Sequence, residues 1–231
     1  NNSVDIAVSG LSTWQTGNVT DFYQTFRNSR KITVSLGNWD VTSSTDFDGM
    51  FKSMSQVDAI DATQINNWTL PSSNFTMTGM FQQMSMNLDI STNGTKWVTT
   101  ACTKMNYMFD ANVTFNQNIG NWNTSKVSLM SIMFYKASSF NRDIGNWNLS
   151  SVTNALDLSG MFGEALVFNQ DLTNWCVSNI ASEPTDFATN SALINDNKPL
   201  WGKEFTLAFL GGGGSQTQTV TATIAITPIQ Y

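Results

Sequence analysis

The chain contains no histidine in its 231 residues. That removes the commonest general base, the usual nitrogen metal ligand and every Ser–His or Cys–His arrangement. Charge is scarce as well: only 12% of residues are charged, and the net charge is −6. Without a basic stripe to neutralise phosphates, a nucleic-acid partner is excluded. No apolar run reaches the roughly 18 residues that a membrane-spanning helix needs. Glycine-rich phosphate motifs are missing too, because Gly211–Gly214 are followed by neither a Lys nor a helical pattern. No cofactor, metal or catalytic residue is expected, and the chain does not read as an enzyme.

What is abundant is tryptophan at regular intervals. Trp14, Trp39, Trp68, Trp97, Trp122, Trp147 and Trp175 are separated by 25, 29, 29, 25, 25 and 28 residues. Behind them come Phe26, Phe51, Phe81, Phe109, Phe134 and Phe162, and Phe187 completes the series. A period near 25 repeated seven times predicts a solenoid, since no unit of that size buries its own apolar face. The expected fold is a β-rich repeat solenoid with short helical turns, of about seven coils. All seven repeat tryptophans, Trp14 included, are expected in the core. Within one unit the apolar positions Phe115, Ile119, Trp122, Val127, Met130, Met133 and Phe134 fit neither a helical nor an alternating period. The spacing predicts a short strand over 127–130, a tight helical turn on Met-Phe-x-x-Ala and an extended stretch at Ile-Gly-Asn-Trp. Asn, Gly, Ser and Thr between them turn the chain.

The run Met-Phe-x-x-Ala-x-x-Phe-Asn-x-x-Ile-x-x-Trp-Asn-x-Ser-x-Val resembles the bacterial surface-protein repeat of about 26 residues. That repeat occurs in surface lipoproteins of mycoplasmas and Listeria and is related in kind to the leucine-rich repeats of BspA-like proteins. The resemblance is specific over residues 105–187, where Met108-Phe109, Met133-Phe134 and Met161-Phe162 recur with Asn116, Asn141 and Asn169. Over 11–104 it is looser, with insertions before Trp68 and Trp97 and Thr25-Phe26 in place of Met-Phe. It implies a leucine-rich-repeat-like solenoid displayed on a surface, and it carries no catalytic residues to transfer.

Cys102 and Cys176 fall three coils apart, about 15 Å, beyond disulfide reach. Cys102 follows Trp97 as Val127 follows Trp122, so it reads as a small core residue and both thiols as free. The chain divides into a solenoid over 1–210 with a terminal cap near Trp201, a Gly/Ser-rich linker over 211–218 and a tail β-strand over 219–231. Asn1 follows a processed signal or opens a fragment; the sequence is compatible with both.

The tail is the second informative feature. Thr219, Val220, Thr221, Ala222, Thr223, Ile224, Ala225, Ile226 and Thr227 alternate Thr with apolar residues, a strand pattern with no partner strand nearby. A lone strand must pair with something. It folds back on the solenoid, opens a further domain, or adds to a neighbouring subunit to build a filament, appendage or coat.

Other candidates are weaker. Asp46 with Asp48, and Asp58 with Asp61, are the carboxylate pairs that a glycoside hydrolase would need, yet such pairs usually only solubilise. Asn116, Asn118, Asn141, Asp143, Asn169 and Asp171 form a column that either hydrogen-bonds the turns or converges on calcium; its two carboxylates favour the ladder. Sequons begin at Asn1, Asn18, Asn67, Asn74, Asn93, Asn112, Asn123 and Asn148 and permit glycosylation in a secretory compartment. The reading is a non-catalytic extracellular structural or surface-display protein, on a cell or virion surface, whose partners are copies of itself or neighbouring surface proteins. The alternative is an adhesin or receptor- or glycan-binding module, with Tyr23, Tyr107 and Tyr135 as candidate anchors.

Overall fold

A computed structural model of the chain describes residues 5–6, 10–32, 35–54, 65–91 and 97–203. The linker and tail at 211–231, the sequons at Asn1 and Asn93, and Asp58 with Asp61 lie outside the described residues.

The building unit is a run of tandem turns. In its first copy Thr25, Arg27 and Ser29 donate their N–H groups to the carbonyls of Phe22, Gln24 and Phe26, three residues back in each case. Gln24 and Asn28 hold φ of 51° and 60°, at the third residue of the first and last turn, as in type II turns. The same left-handed pair, four residues apart, recurs at Gly49 and Ser53, Gly79 and Gln83, Tyr107 and Ala111, Ile132 and Lys136, Gly160 and Glu164, and Asp186 and Asn190. This corrects the helical turn expected on Met-Phe-x-x-Ala, because residues alternating into the left-handed region cannot continue a helix.

The purpose of that alternation lies between copies. Gln24 and Asn28 turn their N–H groups out to the carbonyls of Asp48 and Lys52 in the next copy. Gly79 and Gln83 do so to Asn106 and Asp110, and Ile132 and Lys136 to Ser159 and Gly163. Phe26, Phe51, Phe81, Phe109, Phe134 and Phe162 donate in the same sense, to Met50, Met80, Met108, Met133, Met161 and Phe187. Each left-handed L-residue costs about 1–2 kcal/mol, and in the six pairs from Gln24 and Asn28 to Gly160 and Glu164 the bond to the next copy is what holds it there. Seven such segments stack in parallel, from 22–28 to 184–190, which at strand spacing spans about 29 Å.

Regular strands are short. β1 (Asp5–Ile6) pairs in parallel with β2 (Lys31–Ile32), and β3 (Phe75–Thr76) with β4 (Cys102–Lys104). The strand expected at 127–130 is an isolated parallel bridge between Lys104 and Leu129. The expected extended stretch at Ile-Gly-Asn-Trp is a turn, closed by Trp122 N–H to Ile119 O at 3.0 Å.

The core is built of aromatic columns. Phe26, Phe51, Phe81, Phe109, Phe134 and Phe162 stack with centroids 5.6–5.9 Å apart. Phe115, Phe140 and Phe168 form a second column. Such offset stacks add about 0.5–1.5 kcal/mol per pair beyond burial. Phe187 departs from the expected series. The left-handed pair at Asp186 and Asn190 puts Ala188 in the phenylalanine place and Phe187 in the methionine place, and its ring meets Phe162 edge-on at 87°. Trp201 then meets Phe187 edge-on at 5.0 Å and closes that end.

Candidate functional site

The polar side chains that repeat are consumed by the stack itself. Trp39, Trp68, Trp97, Trp122, Trp147 and Trp175 each donate the indole N–H to a carbonyl of the preceding copy: Leu11, Leu36, Ile65, Ile90, Ile119 and Ile144, at 2.8–3.4 Å. Burial alone would have left these donors unsatisfied.

The asparagine column is a second ladder. The N–H groups of Asn116, Asn141, Asn169 and Ile194 donate to the Oδ1 atoms of Asn87, Asn116, Asn141 and Asn169 at 2.8–3.1 Å. Asn118, Asp143 and Asp171 cap the following turn by accepting from the N–H of Gly120, Gly145 and Thr173. Their oxygens therefore serve the backbone, and among the described residues no three or more His, Cys, Asp or Glu side chains are grouped to hold a metal ion. In the two cleanest copies the turn is so close to its neighbour that a Cβ on Gly120 or Gly145 would lie 2.5 Å from Asp143 O or Asp171 O.

The carboxylate pair is similarly engaged. Asp46 Oδ1 accepts from Asp48 N–H at 2.7 Å, and Asp48 Oδ1 accepts from Thr78 N–H in the next copy at 2.6 Å. Burial pushes the Asp46 carboxyl up, the Asp48 N–H opposes that, and the charges of Asp48 and Asp21 add to it. Asp21, Asp46 and Thr76 share one parallel bridge line, so Asp46 sits in a column of repeats rather than in a cleft.

A buried polar contact absent from the sequence reading joins Gln82 to Asp110, whose Oδ2 accepts from Nε2 at 2.7 Å. Burial raises the Asp110 carboxyl, while the Gln82 bond and the charges of Lys52 and Lys136 lower it. Neither residue belongs to the apolar period, and only their shared place in successive copies could have paired them.

Cys102 is buried and free, and Cys176 is exposed and free. Burial pushes the Cys102 thiol up to about 12. Of the sequons, Asn18, Asn67, Asn74, Asn123 and Asn148 are exposed. Asn112 is a correction: it is fully buried, its Oδ1 accepts from Met86 N–H, and its Nδ2 donates to Phe81 O. No transferase reaches that amide in the folded chain.

The aromatic anchors separate. Tyr23 is 56% exposed, whereas Tyr107 and Tyr135 are half-buried. Tyr135 hydroxyl donates to Glu164 at 2.6 Å, and a Cβ on Gly163 would touch its ring. Trp14, expected in the core, is 53% exposed. Its ring stacks on Trp39 at 6.1 Å, and among the described residues no second ring covers its other face.

Among the described residues no helix is long and apolar enough to cross a membrane. No curated protein and no solved structure matches the chain. One family model, described as Mycoplasma protein of unknown function, DUF285, matches it twice over overlapping stretches, residues 2–95 and 75–201. Those stretches take in all seven stacked segments, and the chain belongs to that family.

Proposed function

We propose that the chain is a leucine-rich-repeat-like solenoid of the surface-protein repeat type, acting as a non-catalytic extracellular structural or surface-display protein. On this reading it is a subunit of a filament, appendage or coat, joined to copies of itself through the tail strand Thr219–Thr227. The observation that carries the reading is the commitment of the recurring polar side chains to inter-copy bonds. Indole N–H groups, Asn amides and Asp carboxylates all stabilise the stack, which leaves shape and regularity as its output. The test is light scattering of the full chain beside a variant with Ile224 and Ile226 replaced by Asp. Concentration-dependent assembly of the parent, lost in the variant, is expected; a variant that polymerises like the parent refutes tail-mediated assembly.

A second reading, an adhesin or glycan-binding module, is favoured by the exposed rings of Trp14 and Tyr23. A glycan array with no binding by the folded chain removes its glycan version.

A further inference from the structure

The two ends of the stack are not equivalent. At the last copy, Trp201 closes the core edge-on against Phe187. At the first copy nothing comparable is present among the described residues. Trp14 shows its outer face, Tyr23 is exposed, and both exposed aromatic side chains among the described residues belong to this end. The first-copy phenylalanines Phe22 and Phe26 keep 4% and 5% exposure, where Phe51, Phe81, Phe109, Phe134 and Phe162 keep none.

The backbone is open there in one sense only. In the second copy the carbonyls of Asp46, Asp48, Met50 and Lys52 accept N–H groups from the copy before. Their equivalents in the first copy are Asp21, Tyr23, Thr25 and Arg27, and among the described residues these carbonyls accept no hydrogen bond. They fall on alternate residues, the spacing at which an extended strand presents N–H groups to a neighbour. A few residues further on, β2 already carries a parallel partner, β1.

We infer that this open end is the seat for the tail strand of a second copy. The inference rests on the tail-mediated assembly proposed above and supplies its acceptor. The last described residue, Lys203, lies beside Trp201 at the capped end of the stack, so a strand continuing from it would meet the open end of a neighbouring copy. Such contacts are head-to-tail and propagate. The strand would donate alternate N–H groups to the carbonyls of Tyr23, Thr25 and Arg27. Val220, Ala222, Ile224 and Ile226, which share one face of the predicted strand, would cover Phe22, Phe26 and the outer face of Trp14.

The test uses the full chain and its sedimentation across a concentration series. Four variants are compared with the parent: Tyr23→Lys, Trp14→Lys, Ile224→Asp as the tail lesion, and Leu156→Lys, an exposed apolar residue outside the first copy. Expected is a rise of about tenfold or more in the assembly concentration for the first three, equivalent to about 1.4 kcal/mol, and none for the last. Tyr23 is exposed, so Tyr23→Lys keeps the fold intact, and tryptophan fluorescence checks that it does. If Ile224→Asp is monomeric while both end variants assemble like the parent, the acceptor lies elsewhere and only the seat is overturned. If Ile224→Asp assembles like the parent, or the parent is always a monomer, the tail-strand reading fails and this inference with it.

Discussion

Replacing Gly145 by alanine separates a stack of touching copies from a loose string of turns. Gly145 has a φ outside the left-handed region, so its backbone conformation is one that alanine adopts without strain. In an isolated turn the substitution would stabilise the chain by about 0.4–1 kcal/mol, because it restricts the unfolded state. Here the added Cβ falls 2.5 Å from Asp171 O and 3.3 Å from Asp143 Oδ1. The first contact is to backbone of the next copy, which is itself held by Asp171 capping Thr173 and by Leu172 N–H donating to Asn197 O. Relief must therefore come from separating two copies, at an overpacking cost of about 1–3 kcal/mol. Taking the middle of each range, the net loss is about 1.3 kcal/mol, a fall in Tm of roughly 2–4 °C per kcal/mol in a chain of this size. Urea denaturation followed by tryptophan fluorescence measures it, with Gly120→Ala as a replicate against Asp143 O. A neutral or stabilising effect in both would mean that the copies do not approach one another as described.

Trp147→Phe keeps the ring in its column but removes one of the two donors to Ile119 O, which retains the Trp122 N–H; a loss of about 0.5–1.5 kcal/mol, that of a single hydrogen bond, is expected in the same urea assay. Under native conditions iodoacetamide should label Cys176 and spare Cys102, whose thiol is buried and pushed up to about 12; peptide mapping that finds both equally modified contradicts the packing. Asp110 has its carboxyl raised chiefly by burial, so its contribution to stability is present below the ordinary carboxyl range and is lost as pH rises through its folded pKa. Asp110→Asn retains an acceptor for Gln82 and should flatten that part of the stability–pH curve, read by thermal melts across the acidic range.

The parts of the fold that were legible are those where burial repeats. Trp39 to Trp175 and Phe26 to Phe162 recur because each copy must deliver one large ring to the same column, and that requirement is written directly in residue type. The asparagine ladder was legible for the same reason, since Asn116, Asn141 and Asn169 hold the same place in successive copies. Backbone conformation was not. Glycine and asparagine mark some left-handed places, at Asn28, Gly49, Gly79 and Gly160, but Gln24, Ile132, Lys136 and Glu164 occupy others. There the bond to the next copy imposes a conformation that local preference opposes. Ends were also misread: Trp14 and Phe187 have the right residue type and spacing, yet among the described residues no further copy of the repeat packs on the outer side of either. Trp14 is therefore exposed, and Phe187 slips one place to meet its cap.

The inter-copy backbone bonds also determine how the molecule would respond to force. They point along the stacking direction, and the first and last described segments lie at opposite ends of it. Tension between those ends loads one set of bonds at a time, as a zipper does, instead of shearing all of them together. A copy of 25 residues, such as that from Phe109 to Phe134, would lengthen the chain by about 80 Å on release, from a few ångströms when stacked. A stack of this design would yield copy by copy, in steps set by the 25 to 29 residues that separate successive tryptophans.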